Sequence, residues 1–138
     1  MRFYLDTNML VFILSRQFDE IDSHIMEILN DYSSIIYTSN IAVQELILLY
    51  RIGKFKSIFY KSEDELLGAI EESGIRIIYF NKYHLDMYTF LQIARKHKDM
   101  NDHAIIAQAI SDKIPLISSD YEFHHYVEQG LDYIFNKR

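Results

Sequence analysis

Short apolar runs and helix-spaced apolar positions alternate along the chain. A β-branched-free but apolar run at residues 3–5, inside a strand expected at about 2–6, gives way to an apolar helical stretch at about 8–15. Ile21, Ile25, Ile28 and Leu29 recur at helical spacing and predict a helix over 21–32. Ile35-Ile36-Tyr37-Thr38 is β-branched and aromatic and reads as a second strand. Ser39 or Asn40 then caps an apolar helix to about residue 50, which Gly53 breaks. An amphipathic helix at 63–73 turns Leu66, Leu67 and Ile70 inward, with Gly74 as its stop. A third strand is expected at 75–80 and a long helix at 82–96. Asp99-Met100-Asn101-Asp102 opens another helix through residue 110. A fourth strand follows at 113–118, with Pro115 near its start, where a missing N–H is tolerated. A short helix at 121–128 precedes a fifth strand at 131–134. Strands separated by helices imply right-handed crossovers and a mostly parallel sheet, hence an α/β fold.

At 138 residues the chain is expected to form one domain spanning 1–138, large enough for a real core. With only 4 glycines and 1 proline, little of it can be flexible linker. The absence of cysteine excludes a disulfide framework and thiolate metal sites, and it fits a reducing, cytoplasmic location. The opening residues reach a charge too soon for a signal peptide, and no apolar run approaches a membrane span, so no membrane association is expected. A net charge of −6 argues against holding nucleic acid by a basic surface. That objection weakens if several carboxylates are concentrated where cations offset them.

Four acids stand at the places that matter in such a fold. Asp6 ends the first strand and Asp120 the fourth, while Asp102 lies at a helix start. Glu45 sits within a helix on a face shared with Ile41, Ala42, Leu48 and Leu49. Each has an ordinary alternative. Asp6 (or Thr7 or Asn8), Asp102 and Asp120 could serve as helix caps, and Glu45 could be a surface residue at the edge of the apolar stripe. In a parallel sheet, however, strand carboxyl ends share one side, and that side is where ligands bind. The topology would therefore gather Asp6, Glu45, Asp102 and Asp120. Two carboxylates about 5 Å apart repel by roughly 3 kcal/mol at an effective dielectric near 20. Four together need protons or cations. An all-oxygen ligand set points to Mg²⁺ or Mn²⁺, the usual equipment for phosphodiester hydrolysis.

These stretches resemble the PIN-domain nucleases, and specifically the VapC-type toxins of bacterial type II toxin–antitoxin pairs, over essentially the whole chain. Leu5-Asp6-Thr7-Asn8 is similar to the family's first acidic motif. Glu45, after Ser39-Asn40-Ile41-Ala42-Val43-Gln44, resembles the second. Asp102 followed by His103-Ala104-Ile105-Ile106-Ala107-Gln108-Ala109 resembles the third, and Ser118-Ser119-Asp120-Tyr121-Glu122-Phe123 the fourth. Met100 stands where proline is frequent and Ser118 where threonine is common, and neither departure changes a ligand. The resemblance implies a three-layer sandwich around a five-stranded parallel sheet and a Mg²⁺-dependent endoribonuclease. In it Asp6, Glu45 and Asp102 bind the ion, Asp120 assists on a second ion or on water, and Thr7, Asn8 and Ser118 support them. It further implies an RNA substrate, a cognate antitoxin protein and a homodimer. The non-enzymatic alternative is a catalytically silent PIN scaffold that binds RNA or a partner, against which the complete set of four acids argues.

Two basic stretches are candidates for an RNA path. One is Arg51, Lys54 and Lys56, interleaved with Phe55, Phe59 and Tyr60; the other is Lys96 and Lys98, just before the third acidic motif. Each also reads as an ordinary solvated or helix-terminal charge cluster. His124-His125 lacks the spacing of a helical metal pair and reads as surface or packing. An aspartyl-phosphate phosphatase would need an acid at position 8, which is Asn8, and a receiver module would need an Asp on the third strand, which has none.

Overall fold

The computed structural model describes residues 1–138. Five strands form one sheet: β1 (Arg2–Leu5), β2 (Ile35–Ser39), β3 (Arg76–Ile78), β4 (Leu116–Ser118) and β5 (Tyr133–Phe135). All neighbouring pairs are parallel, in the order β3-β2-β1-β4-β5. Six helices connect them: α1 (Thr7–Leu14), α2 (Ser23–Asn30), α3 (Asn40–Arg51), α4 (Glu63–Glu72), α5 (Lys82–Phe90) and α6 (Met100–Asp112). Two 3₁₀ segments, Phe18–Glu20 and Tyr121–Gln129, complete the set. The central strands show why the sheet needs cover on both faces. Phe3, Tyr4 and Leu5 of β1 and all three residues of β4 are buried, so successive side chains pointing to opposite faces both meet protein. The result is the expected helix–sheet–helix sandwich.

Helix α6 is buried for seven consecutive residues, His103 to Ala109. Its alanines let it lie close to the sheet, and Gln108 fixes its seat. The Gln108 amide donates to the Tyr4 hydroxyl (3.2 Å) and to the Ile78 carbonyl (3.0 Å), and its oxygen accepts from Ser39 (2.6 Å). One side chain thus joins α6 to β1, β2 and β3.

The helix expected at 82–96 is shorter than its pattern. It stops at Phe90, and Leu91 is already extended. A reciprocal amide pair explains the departure: the Gln92 N–H donates to Oε1 of Gln129, and Nε2 of Gln129 donates to the Gln92 carbonyl, both at 2.9 Å. These bonds take the backbone groups that another helical turn would use. Arg95 and Lys96 then adopt left-handed conformations (φ +52° and +62°), and the His97 N–H closes a turn onto the Ala94 carbonyl at 2.9 Å. The short helix expected at 121–128 is 3₁₀, the fifth strand is displaced from 131–134 to Tyr133–Phe135, and the other differences are of length. The second helix is Ser23–Asn30, capped by Asp22, and the third strand is Arg76–Ile78. No helix is long and apolar enough to cross a membrane.

Candidate metal centre

Strand order reverses at β1: the chain builds outward through β2 and β3, then returns to place β4 on the other side. The crevice beyond the carboxyl ends of β1 and β4 is therefore a topological switch point. A cavity of about 400 Å³ opens there, lined by Asp6, Thr7, Asn8, Val11, Phe12, Glu45, Leu49, Asp99, Asp102, Asp120 and Arg138. All four sequence-selected acids meet in it.

Asp6 does not cap α1, for its side chain makes no capping bond although it occupies that position. Its Oδ2 instead accepts from the Ser118 hydroxyl (2.7 Å) and from Nδ2 of Asn8 (3.2 Å). Its Oδ1 is buried with no partner, as is the Thr7 hydroxyl. Asn8 works as a brace. Nδ2 also reaches Ser118 Oγ (3.2 Å), and Oδ1 accepts from the Ser119 N–H (3.1 Å), locking the end of β1 to the end of β4. Burial, above all, pushes the Asp6 carboxyl up to about 7; Ser118 and the Thr7 N–H pull against this, while Glu45 and Asp120 add to it.

The four acids divide by what their carboxylates do. Asp99 is the cap of α6, accepting from the Asp102 N–H at 3.0 Å, so Asp102 is freed from that role. The Asp102 carboxylate faces His97, whose Nε2 lies 2.9 Å from Oδ2. Burial and then the charges of Asp6, Asp99, Asp120 and Glu45 raise Asp102 to about 9. Asp120 does cap, accepting from the Glu122 N–H at 2.9 Å, and still lines the cavity. Glu45 is half-buried, its Oε2 accepting from Nδ2 of Asn101 at 3.1 Å. Neither the capping reading of Asp6 nor the surface reading of Glu45 describes the molecule.

The test of whether these residues suit a divalent cation is the orphaned Oδ1 of Asp6. Leaving a buried carboxylate oxygen unpaired costs free energy that a bound ion would recover. Oxygen donors from four acids, two of them pushed toward protonation by burial and then by their neighbours' charges, form a set that a hard cation fits. His97, Asp102 and Asp120 also bring ligand-type atoms within 4.8 Å of one another.

Sequence reasoning missed three contributors: His97, Asn101 and Arg138. Asp99-Met100-Asn101-Asp102 reads as a capping arrangement from the sequence, and Asp99 is the cap, but only the path of the chain shows that Asn101 braces Glu45. Arg138 lies with its guanidinium 5.0 Å from the Phe12 ring centre and Nε 3.9 Å from Glu20. Of the basic candidates, Arg51 is paired with Glu63 through both guanidinium and carboxylate. Lys54, Lys56, Lys96 and Lys98 are exposed and do not line the cavity.

The fold has close counterparts. The chain resembles the structure of VapBC from Salmonella typhimurium bound to DNA, with a TM-score of 0.70 and 21% identity over 98% of each chain. It resembles VapBC-1 from nontypeable Haemophilus influenzae at 0.68 and 18% over 100% of each. VapBC2 from Rickettsia felis, bound to a fragment of its promoter, matches at 0.66 and 20% over 99% of each. No curated protein sequence matches significantly. The family model described as PIN domain matches residues 3–129, nearly the whole chain, and with the sheet order and acidic crevice already in place, the chain belongs to the PIN-domain family.

Proposed function

We propose that this protein is a divalent-metal-dependent endoribonuclease and the toxin of a VapBC-type pair. The observation that carries the reading is the Asp6 carboxylate, buried at the switch point with one oxygen unpartnered and three further acids around the same cavity. Asp6, Glu45 and Asp102 would hold Mg²⁺ or Mn²⁺, and Asp120 would assist at a second ion or at the attacking water. The chemistry such an ion supplies is a lowered pKa for bound water and neutralisation of charge developing on phosphate oxygens. The chain's own task is placement. Ser118 and Asn8 fix the Asp6 carboxylate, Asn101 fixes Glu45, and the capping of α6 by Asp99 leaves Asp102 turned to the cavity. Thr7, buried beside Asp6 with its own hydroxyl unpartnered, would complete that support.

The toxin assignment is supported by likeness to VapBC structures over the full length of both chains. An acidic cleft also suits a basic partner, since a guanidinium pairs bidentately with carboxylates but cannot activate water. A small antitoxin carrying such a group would inhibit in competition with the ion. Pairing with a second copy of the chain is part of the same proposal. RNA would be gripped by local cations, with Lys54, Lys56, Lys96 and Lys98 the free candidates and Arg51 already engaged by Glu63. The test is incubation of purified protein with structured RNAs in Mg²⁺ or EDTA, beside Asp102→Asn and Glu45→Gln. Cleavage in Mg²⁺ alone, reduced at least about a hundredfold in both variants, is expected. Cleavage that persists in EDTA, or fully active variants, would overturn the assignment.

A further inference from the structure

Behind Asp102 stands a group of side chains that the four-acid description leaves out. His97 and His103 lie edge-to-face with ring centres 5.1 Å apart, and Tyr126, fully buried, packs against both. The Tyr126 oxygen is 2.9 Å from Nδ1 of His97 and 3.1 Å from Nε2 of His103. Nε2 of His103 also lies 2.8 Å from the His97 carbonyl.

These partners determine where the protons sit. A carbonyl only accepts, so Nε2 of His103 carries a hydrogen and donates to the His97 carbonyl. His103 then has no lone pair to offer Tyr126 on that nitrogen. The Ala94 N–H, 3.4 Å away, is a donor toward the same hydroxyl. The Tyr126 hydroxyl must therefore give its proton to the one remaining acceptor, Nδ1 of His97. A neutral imidazole with an accepting Nδ1 carries its hydrogen on Nε2, and that atom faces Oδ2 of Asp102 at 2.9 Å. Proximity of His97 to Asp102 and Asp120 would by itself suit a nitrogen ligand, but the hydrogen-bond chain makes this nitrogen a donor.

We propose that His97, held by Tyr126 and His103, is a positioning residue for the metal centre: its Nε2–H fixes Oδ2 of Asp102 and leaves Oδ1 for the cation. The backbone supports this assignment independently. Arg95 and Lys96 are consecutive non-glycine residues in the left-handed region, which side chains disfavour. Their turn is what swings His97 in from the end of α5. Strain of this kind, next to a cavity lined with acids, is where a geometric requirement overrides local preference.

The inference rests on the reading of the acidic cavity as a cation site. Its test uses Mn²⁺ alone as the probe. Binding is followed by the electron paramagnetic resonance of free Mn²⁺ for wild type, His97→Leu and His97→Gln, with folding checked by circular dichroism. His97→Leu should weaken Mn²⁺ binding by about 10–100-fold, the usual effect of losing a group that orients a ligand. His97→Gln, whose amide still donates, should recover most of the loss. Spin-echo spectra of Mn²⁺ bound to ¹⁵N-histidine-labelled wild type should show no directly bound histidine nitrogen. On the unsubstituted, metal-free protein, ¹⁵N NMR should find His97 protonated at Nε2, which tests the proposal even if the variants do not fold. Unchanged affinity in His97→Leu, a directly bound nitrogen, or a proton at Nδ1 would each overturn the role of His97. Failure of wild type to bind Mn²⁺ would instead overturn the cation-site reading itself, whatever the tautomer of His97.

Discussion

Asp6 is held from one side only. Its Oδ2 has two donors, its Oδ1 none, and the residue is 3% exposed. A carboxyl raised to about 7 is mostly protonated at pH 5 and mostly ionised at pH 8. Asp6→Asn imitates the protonated form. In EDTA at pH 8 the variant should therefore melt several degrees above wild type, and the gap should narrow as pH falls and close only below about pH 4, where the unfolded carboxyl is protonated too. Added Mg²⁺ should raise the melting temperature of wild type far more than that of the variant. A variant less stable than wild type at pH 8 would mean that the charge is balanced by the protein alone. The strand-end acids were legible in the sequence because a strand's last residue is located by the apolar run before it. His97 was not. Its position depends on two left-handed residues that carry side chains, Arg95 and Lys96, and their types signal a continuing helix. Glu45 was half legible: its apolar helix face was visible, but its partner Asn101 comes from a distant element.

Among the elements, α6 carries the most constraint, because one side chain ties it to three strands. Gln108→Leu would keep the volume but leave the Ser39 hydroxyl short of an acceptor and the Ile78 carbonyl and the Tyr4 hydroxyl each short of a donor. At about 1–3 kcal/mol for an unsatisfied buried group, with partial relief from rearrangement, a loss of roughly 2–4 kcal/mol is expected in urea unfolding. Because α6 also bears Asp102, metal affinity should fall with stability in this variant. An unaffected midpoint would show that the helix is held by its alanine packing alone. Element order and the parallel sheet could be read from periodicity, since each strand is a compact apolar run. The end of α5 could not, because it is decided by Gln129, thirty-seven residues further on, pairing with Gln92. Side chains that compete for backbone groups across such distances leave no local mark.

Across the whole molecule the raised acids set the sign of the pH response. Burial and neighbouring charges push the carboxyls of Asp6 up to about 7 and Asp102 up to about 9, from an ordinary value near 4. The folded protein then binds more protons than the unfolded chain throughout that interval, so stability contributed by these groups is full below about pH 4 and is lost as pH rises through 7 toward 9. Metal-free protein should accordingly melt at progressively lower temperature from pH 5 to 9. Saturating Mg²⁺, which competes with the protons and binds only the folded state, should flatten or reverse the trend. Parallel profiles with and without the ion would sink the idea that protons and metal share one site. The strand order has a further consequence, in time rather than space. β1 is made first, yet its neighbour β4 is supplied by residues more than a hundred positions later; Ser118 is 112 residues beyond Asp6. At synthesis rates of roughly 5–20 residues per second, the central strand waits on the order of ten seconds for its second partner. Through most of that interval Asp6 exists without Asp102, throughout it without Asp120, and β1 has one open edge. A chain that stops before β4 therefore lacks Asp120 and the Ser118 hydroxyl that seats Asp6, and cannot assemble the centre proposed for the finished one.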